Sequence, residues 1–196
     1  MGRKPLIWIA LGLTLSAPIV AAAFSPLLAW RSPIYILAGF AGILAMACLL
    51  LQPLLAGRLL PNISPITARR SHHIIGGWLI LFIVIHVVGL WLTSAPDVID
   101  AFLFRSPTPF SAWGVVAMWA VFATAFLAIF RRKLRVQTWR ILHGGFAFVI
   151  AIGSAVHAFL IQGTMEPISK AFLCIVVLGV TAKVLLDLWL KIKRAG

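Results

Sequence analysis

Apolar residues run along this chain in six long stretches, each closed by charged or turn-forming residues. They are Leu6 to Phe24, Pro33 to Leu55, His73 to Thr93, Ala112 to Phe130, Ile141 to Ile161, and Ile168 to Leu190. A helix rising 1.5 Å per residue needs about 20 residues to cross a hydrocarbon core of ~30 Å, and each stretch is close to that length. The pattern predicts an all-α integral membrane protein, a bundle of six transmembrane helices formed by residues 1–196 as a single domain. Pro18 falls inside the first span and would kink it, which membrane helices tolerate.

Composition agrees with the pattern. Of the 196 residues, 62% are hydrophobic and only 11% charged, and mean hydropathy is +1.08, which leaves too little polar surface for a water-soluble globule. A disordered chain would be poor in aliphatic and aromatic residues, so that class is excluded too. No period recurs, which sets aside repeat architectures. Cys48 and Cys174 each lie within an apolar run and read as small core residues rather than a disulfide or a zinc motif.

A net charge of +13 would ordinarily raise nucleic acid as a partner, so the position of the charges decides what they mean. Arg3, Lys4, Arg58, Arg69, Arg70, Arg131, Arg132, Lys133, Arg135, Arg140, Lys183, Lys191, Lys193 and Arg194 all fall on one side of the predicted membrane. Arg31, Arg105 and Lys170 fall on the other, together with Asp97, Asp100 and Glu166. Segments rich in Lys and Arg stay cytoplasmic, so both termini are expected inside a cell inner membrane that the chain crosses several times. The basic excess is then topological. No nucleic-acid partner is expected, and the charge is left to attract anionic lipid headgroups of the bilayer. The start of the chain also carries features of a cleavable signal peptide, with Arg3 and Lys4 before an apolar run and Ala21, Ala22 and Ala23 after it. Cleavage there would leave five spans and the same orientation for the rest.

Candidate chemistry is concentrated in the histidines, which are costly in hydrocarbon and point to function when a partner can be named. His72 and His86 are fourteen residues apart in the third span, and His143 and His157 are fourteen apart in the fifth. Fourteen steps of about 100° fall only about 40° short of four turns, so each pair shares one helix face, separated by about 21 Å along the axis. The third and fifth spans run in the same direction. His72 is therefore level with His143, and His86 with His157.

Two imidazoles facing each other across a gap between parallel helices suit a metalloporphyrin, whose six-coordinate iron takes only two ligands from the protein. A structural zinc takes four, and no Cys, Asp or Glu lies near either pair in the sequence. Between the histidines the shared faces carry Gly76, Leu79 and Ile83 on one helix and Ala147, Ile150 and Ser154 on the other. Gly77, Gly144 and Gly145 are close by, and small residues there would admit a porphyrin edge or simply a neighbouring helix. His73 lies about 140° from the face of His86, so His72 is the preferred ligand and His73 its substitute. Arg70 and Arg140 stand at the cytoplasmic end of the first pair, where a guanidinium fork suits a haem propionate.

Six spans with two histidines on each of the third and fifth, thirteen residues between the members of each, resemble the ferric reductase transmembrane domain shared with the NADPH oxidases. Trp139, Arg140, Leu142, His143 and then His157 are similar to that family's pattern in the fifth span, and Arg69, Arg70, His72, Gly76 and His86 to its pattern in the third. The resemblance implies two b-type haems that pass single electrons across the membrane, the inner held by His72 and His143 and the outer by His86 and His157. It also implies reduction of an external electron acceptor, such as a ferric chelate, oxygen or a periplasmic protein, at the edge of the outer haem. Family members usually continue into a cytoplasmic domain that binds FAD and NADPH. This sequence ends at Gly196, directly after the sixth span, and shows no glycine-rich nucleotide fingerprint. The expected donor is therefore a separate cytoplasmic flavoprotein or a membrane quinol. A related branch, the haem subunit serving a periplasmic methionine sulfoxide reductase, is similarly short but lacks the first histidine of the third span. Here His72 and His73 fill that region, which favours two haems. A protein of another class, a cofactor-free transporter or assembly subunit that relays protons through intramembrane histidines, also fits the residues, and it predicts no visible absorption.

Overall fold

Ser32, Ser64 and Thr108 each stand directly before a proline, and each of these dipeptides opens a helix. Proline at the first helical position has its fixed φ already helical and lacks only an N–H that would be unpaired there anyway. The serine hydroxyls add a cap: Ser32 Oγ accepts from the Tyr35 N–H at 3.3 Å, and Ser64 Oγ from the Thr67 N–H at 3.1 Å. Such caps are worth about 1 kcal/mol each.

The computed structural model describes residues 2 to 195; Met1, Gly196 and the side chains of Arg3 and Arg194, which enter the charge tally above, lie outside the described residues. Seven α-helices follow in order: α1 (Arg3–Ala23), α2 (Pro33–Ala56), α3 (Pro65–Thr93), α4 (Ala95–Phe102), α5 (Pro109–Ile129), α6 (Val136–Leu160) and α7 (Pro167–Ala195). All but α4 are long and apolar enough to cross a membrane, and among the described residues there is no strand. The six expected spans are thus present. Six crossings bring the chain back to the side on which it began.

The boundaries moved most at α3, which starts at Pro65 rather than His73 because the Ser64–Pro65 cap nucleates it earlier. His72 and His73 consequently sit about two turns inside a regular helix rather than at its frayed edge. A short helix that hydropathy alone does not suggest, α4, follows Ser94, whose hydroxyl donates to Asp97 Oδ2 at 2.6 Å.

Directly before α7 stands Glu166, whose carboxylate accepts from the backbone N–H of Ser169 at 2.6 Å and of Ile168 at 2.8 Å. These bonds to the helix start hold the carboxyl below its usual range. A carboxyl depressed on folding adds stability above its unfolded pKa and loses it as pH falls through the folded value. We expect Glu166→Gln to flatten the acid limb of a plot of thermal midpoint against pH, measured in detergent from pH 7 downward. An acid limb as steep as that of the parent would show that the cap contributes nothing.

Packing follows hairpins. Helix α2 lies along α3 and α5 along α6, while α7 closes against α6, α2 and α1. Helices α3 and α6 make no comparable contact with each other, which leaves a cleft between them. Glycines permit the close hairpin approaches: a Cβ on Gly89 would lie 2.8 Å from Ala38 Cβ, and one on Gly153 would lie 3.0 Å from both Ala117 Cβ and the Trp113 carbonyl. Leu50, Leu173 and Val177 are fully buried at the centre, in one cluster with Leu79 of α3 and Ile150 of α6. Cys174 is buried there as well, its thiol pointing at the Ala155 carbonyl at 3.7 Å. Large residues such as Leu13, Leu92, Phe126 and Ile175 face outward, as a lipid-facing surface requires. On α7, Lys183 and Asp187 neutralise each other in an ion pair of 2.7 Å.

Candidate functional site

Across the α3–α6 cleft the four histidines meet in two pairs. The His72 and His143 ring centroids are 6.2 Å apart with planes inclined at 59°, and the His86 and His157 centroids are 6.4 Å apart with planes at 86°. Both levels fixed by the fourteen-residue spacing are therefore realised in space. Leu79 and Ile150, buried at 8% and 6% exposure, lie on the same helices midway between the pairs and separate them.

Ring orientation is set by the neighbouring helices of the two hairpins. His86 Nδ1 is 2.7 Å from the Ala38 carbonyl of α2, and His157 Nδ1 is 2.8 Å from the Phe110 carbonyl of α5. His72 Nδ1 lies 3.3 Å from the Gln52 carbonyl, and the Gln52 amide returns a bond to the His72 carbonyl at 3.2 Å. A carbonyl can only accept, so in these three rings Nδ1 carries the proton and Nε2 keeps its lone pair. Among the described residues no hydrogen bond reaches any of the four Nε2 atoms. This is the arrangement in which imidazole acts as a metal ligand, with the second nitrogen tied back to the backbone.

His143 differs. Its Nδ1 is buried without a hydrogen-bond partner among the described residues, and its ring is stacked on Trp139 at 4.8 Å and 23°. The Arg131 guanidinium lies over the other ring system of this stack, 5.5 Å from the Trp139 centroid. His73 is exposed, its ring edge-on to His72 at 5.9 Å.

The donor set fits a haem and not a zinc ion. Two imidazoles on one six-coordinate iron, with metal–nitrogen bonds of about 2 Å and roughly 1 Å from nitrogen to ring centre, place their centroids about 6 Å apart. Both pairs show that spacing. No group of three or more His, Cys, Asp or Glu is near enough together to bind a metal among the described residues.

At the end of the bundle near His72, a cavity of about 130 Å³ is lined by Leu55, Ala56, Arg58, Pro65, Ala68, Arg69 and His72. Two guanidinium-bearing residues thus share a cavity with a candidate ligand. Arg70 and Arg140, the residues expected at a propionate, are exposed at the same end. Arg58 was not singled out by sequence, nor were Gln52, Ala38 and Phe110. Their part depends on which helix backs each histidine, which no spacing within α3 or α6 encodes.

A multi-pass helical membrane protein with histidines paired at two depths is a defined class. The family model described as ferric reductase like transmembrane component matches residues 41–154, from α2 to just short of His157, and the chain belongs to that family. No curated protein and no solved structure matches the chain.

Proposed function

We propose that this protein is a transmembrane b-type cytochrome of the ferric reductase type, carrying single electrons from the cytoplasmic side outward. The observation that carries this reading is the pair of ring spacings, 6.2 and 6.4 Å, at two depths of one cleft. His72 and His143 would hold an inner haem and His86 and His157 an outer one, with His73 the substitute for His72. When bound, each haem supplies a one-electron ferric/ferrous couple.

The chain's own residues do the rest. Ala38, Gln52 and Phe110 carbonyls hold three imidazoles in the tautomer that leaves Nε2 free, so no proton has to be displaced for ligation. Leu79 and Ile150 keep water from the space between the two levels. Arg58 and Arg69, beside His72, and Arg70 and Arg140 provide cations for carboxylates at the inner end. His86 and His157 would hold the haem nearer the outer side, which would supply the electron for an external acceptor, a ferric chelate, oxygen or a protein. The donor in this reading is a separate cytoplasmic flavoprotein or a membrane quinol.

Pyridine haemochrome quantitation of the purified protein tests the reading directly. Two haems per chain are expected. A colourless protein with no haem would replace it with the proton-relay reading.

Orientation in an inner membrane rests on the basic residues gathered at one end of the bundle. A reporter fused after Gly196 is expected to be cytoplasmic, and a tag inserted beside Asp97, at the start of α4, to be reached from outside. An externally accessible C-terminal reporter would exchange the inner and outer assignments.

A further inference from the structure

The outer histidines are seated differently from the inner ones, and the difference lies on helices that carry no histidine. A Cβ built on Gly42 of α2 would stand 3.0 Å from His86 Nδ1 and 3.1 Å from its Cε1. One built on Gly114 of α5 would stand 2.5 Å from His157 Nδ1, 2.6 Å from its Cε1 and 3.1 Å from its Cγ. In both cases every close neighbour belongs to the imidazole. At Gly89 and Gly153, by contrast, the added atom meets the Cβ or backbone of a facing helix, which is ordinary close packing.

Register explains why glycine stands there. Gly42 is four residues after Ala38, and Gly114 four residues after Phe110, the two residues whose carbonyls accept from the histidines. In an α-helix the Cβ of residue i+4 leans toward the N-terminus, over the carbonyl of residue i. A side chain at i+4 therefore covers that carbonyl's outer lone pair, and glycine uncovers it. The inner level lacks this device. Four residues after Gln52 stands Ala56, the His72 bond is stretched to 3.3 Å, and His143 Nδ1 has no partner among the described residues.

We infer that Gly42 and Gly114 are positioning residues for the outer haem: each forms a side-chain-free seat that lets an imidazole reach a helix carbonyl and fixes its ring plane. The two seats, on opposite walls of the cleft, hold the rings at 86°, against 59° for the inner pair. The inference rests on the cytochrome reading above and adds to it which residues outside α3 and α6 set ligand geometry. A packing role alone would not link these glycines to a spectroscopic property of one haem.

Electron paramagnetic resonance of the oxidised full chain in detergent, alongside haem quantitation, tests it. Axial imidazoles with perpendicular planes give a far more anisotropic low-spin ferric signal than imidazoles nearer to parallel. The wild type is expected to show two low-spin signals, the more anisotropic of which disappears in His157→Ala. Gly114→Ala should lose that same signal together with one of the two haems. Gly42→Ala, where the intrusion is smaller, should retain both haems with the outer signal altered. Gly12→Ala and Gly179→Ala add the same methyl group where nothing lies within 4 Å, and should leave both signals unchanged. Two haems and unaltered signals in both Gly42→Ala and Gly114→Ala would overturn the inference. Should Gly114→Ala yield no haem protein, Gly42→Ala decides: an unchanged outer signal there overturns the inference, and an altered one supports it. Failure of the cytochrome reading itself is distinguishable, because the wild type would then contain no haem.

Discussion

Replacing His86 with alanine should halve the haem content, from two per chain to one, and stop electrons from reaching an external acceptor. The expected loss of outward transfer is complete rather than partial, because the remaining His157 would have lost the ring 6.4 Å away, and among the described residues no group of three or more His, Cys, Asp or Glu offers a substitute site. The backbone should survive. Alanine is favoured over histidine within a helix by about 0.5 kcal/mol, which offsets part of the lost Ala38 bond, and the hairpin of α2 and α3 is fastened independently at Gly89 and Gln52. His157→Ala should give the same stoichiometry, since one iron shared by two ligands is lost with either. The inner haem should still be reducible in both variants, and dithionite difference spectra would show it at about half the wild-type absorbance. Two haems retained in either variant would mean that the outer level is not a bis-histidine site.

That prediction was available from sequence because helical periodicity fixes what lies on one face. His72 with His86 and His143 with His157 were legible as soon as the spans were, and parallel direction followed from counting crossings. The starts of the helices were also written in the sequence, in Ser32–Pro33, Ser64–Pro65 and Thr108–Pro109, but hydropathy does not read caps. Hence α3 extends eight residues earlier than its apolar run. What periodicity cannot supply is the neighbour. Gly76, Gly77, Gly144 and Gly145 stand out beside the histidines, yet Gly77 and Gly145 border open space and Gly144 meets only leucines of α7. The glycines that touch the rings, Gly42 and Gly114, are distant in sequence and become visible only when α2 lies along α3 and α5 along α6. Arg58 is similar: it reaches the His72 cavity because the α2–α3 turn folds it there.

The inner level carries the second large effect, and it turns on which of His72 and His73 faces the cleft. Both lie two turns inside α3, away from its end. His72 turns into the cleft, bonded through Nδ1 to Gln52 and 6.2 Å from His143. His73 is exposed on the adjoining face, about 100° further round the helix, and no hydrogen bond holds it among the described residues. His72→Ala should therefore remove one of the two haems and leave the outer signal intact, and His143→Ala should copy it. His73→Ala should keep both haems, with at most a small shift in reduction potential from the changed surroundings of the His72 ring, 5.9 Å away. Trp139→Ala offers an independent check on the same level. It removes the ring stacked on His143, the one member of the two pairs whose Nδ1 has no hydrogen-bond partner among the described residues, so it should disturb the inner signal alone. Loss of a haem in His73→Ala with both retained in His72→Ala would place the inner ligand on the wrong residue and require α3 to be wound differently above Gly76.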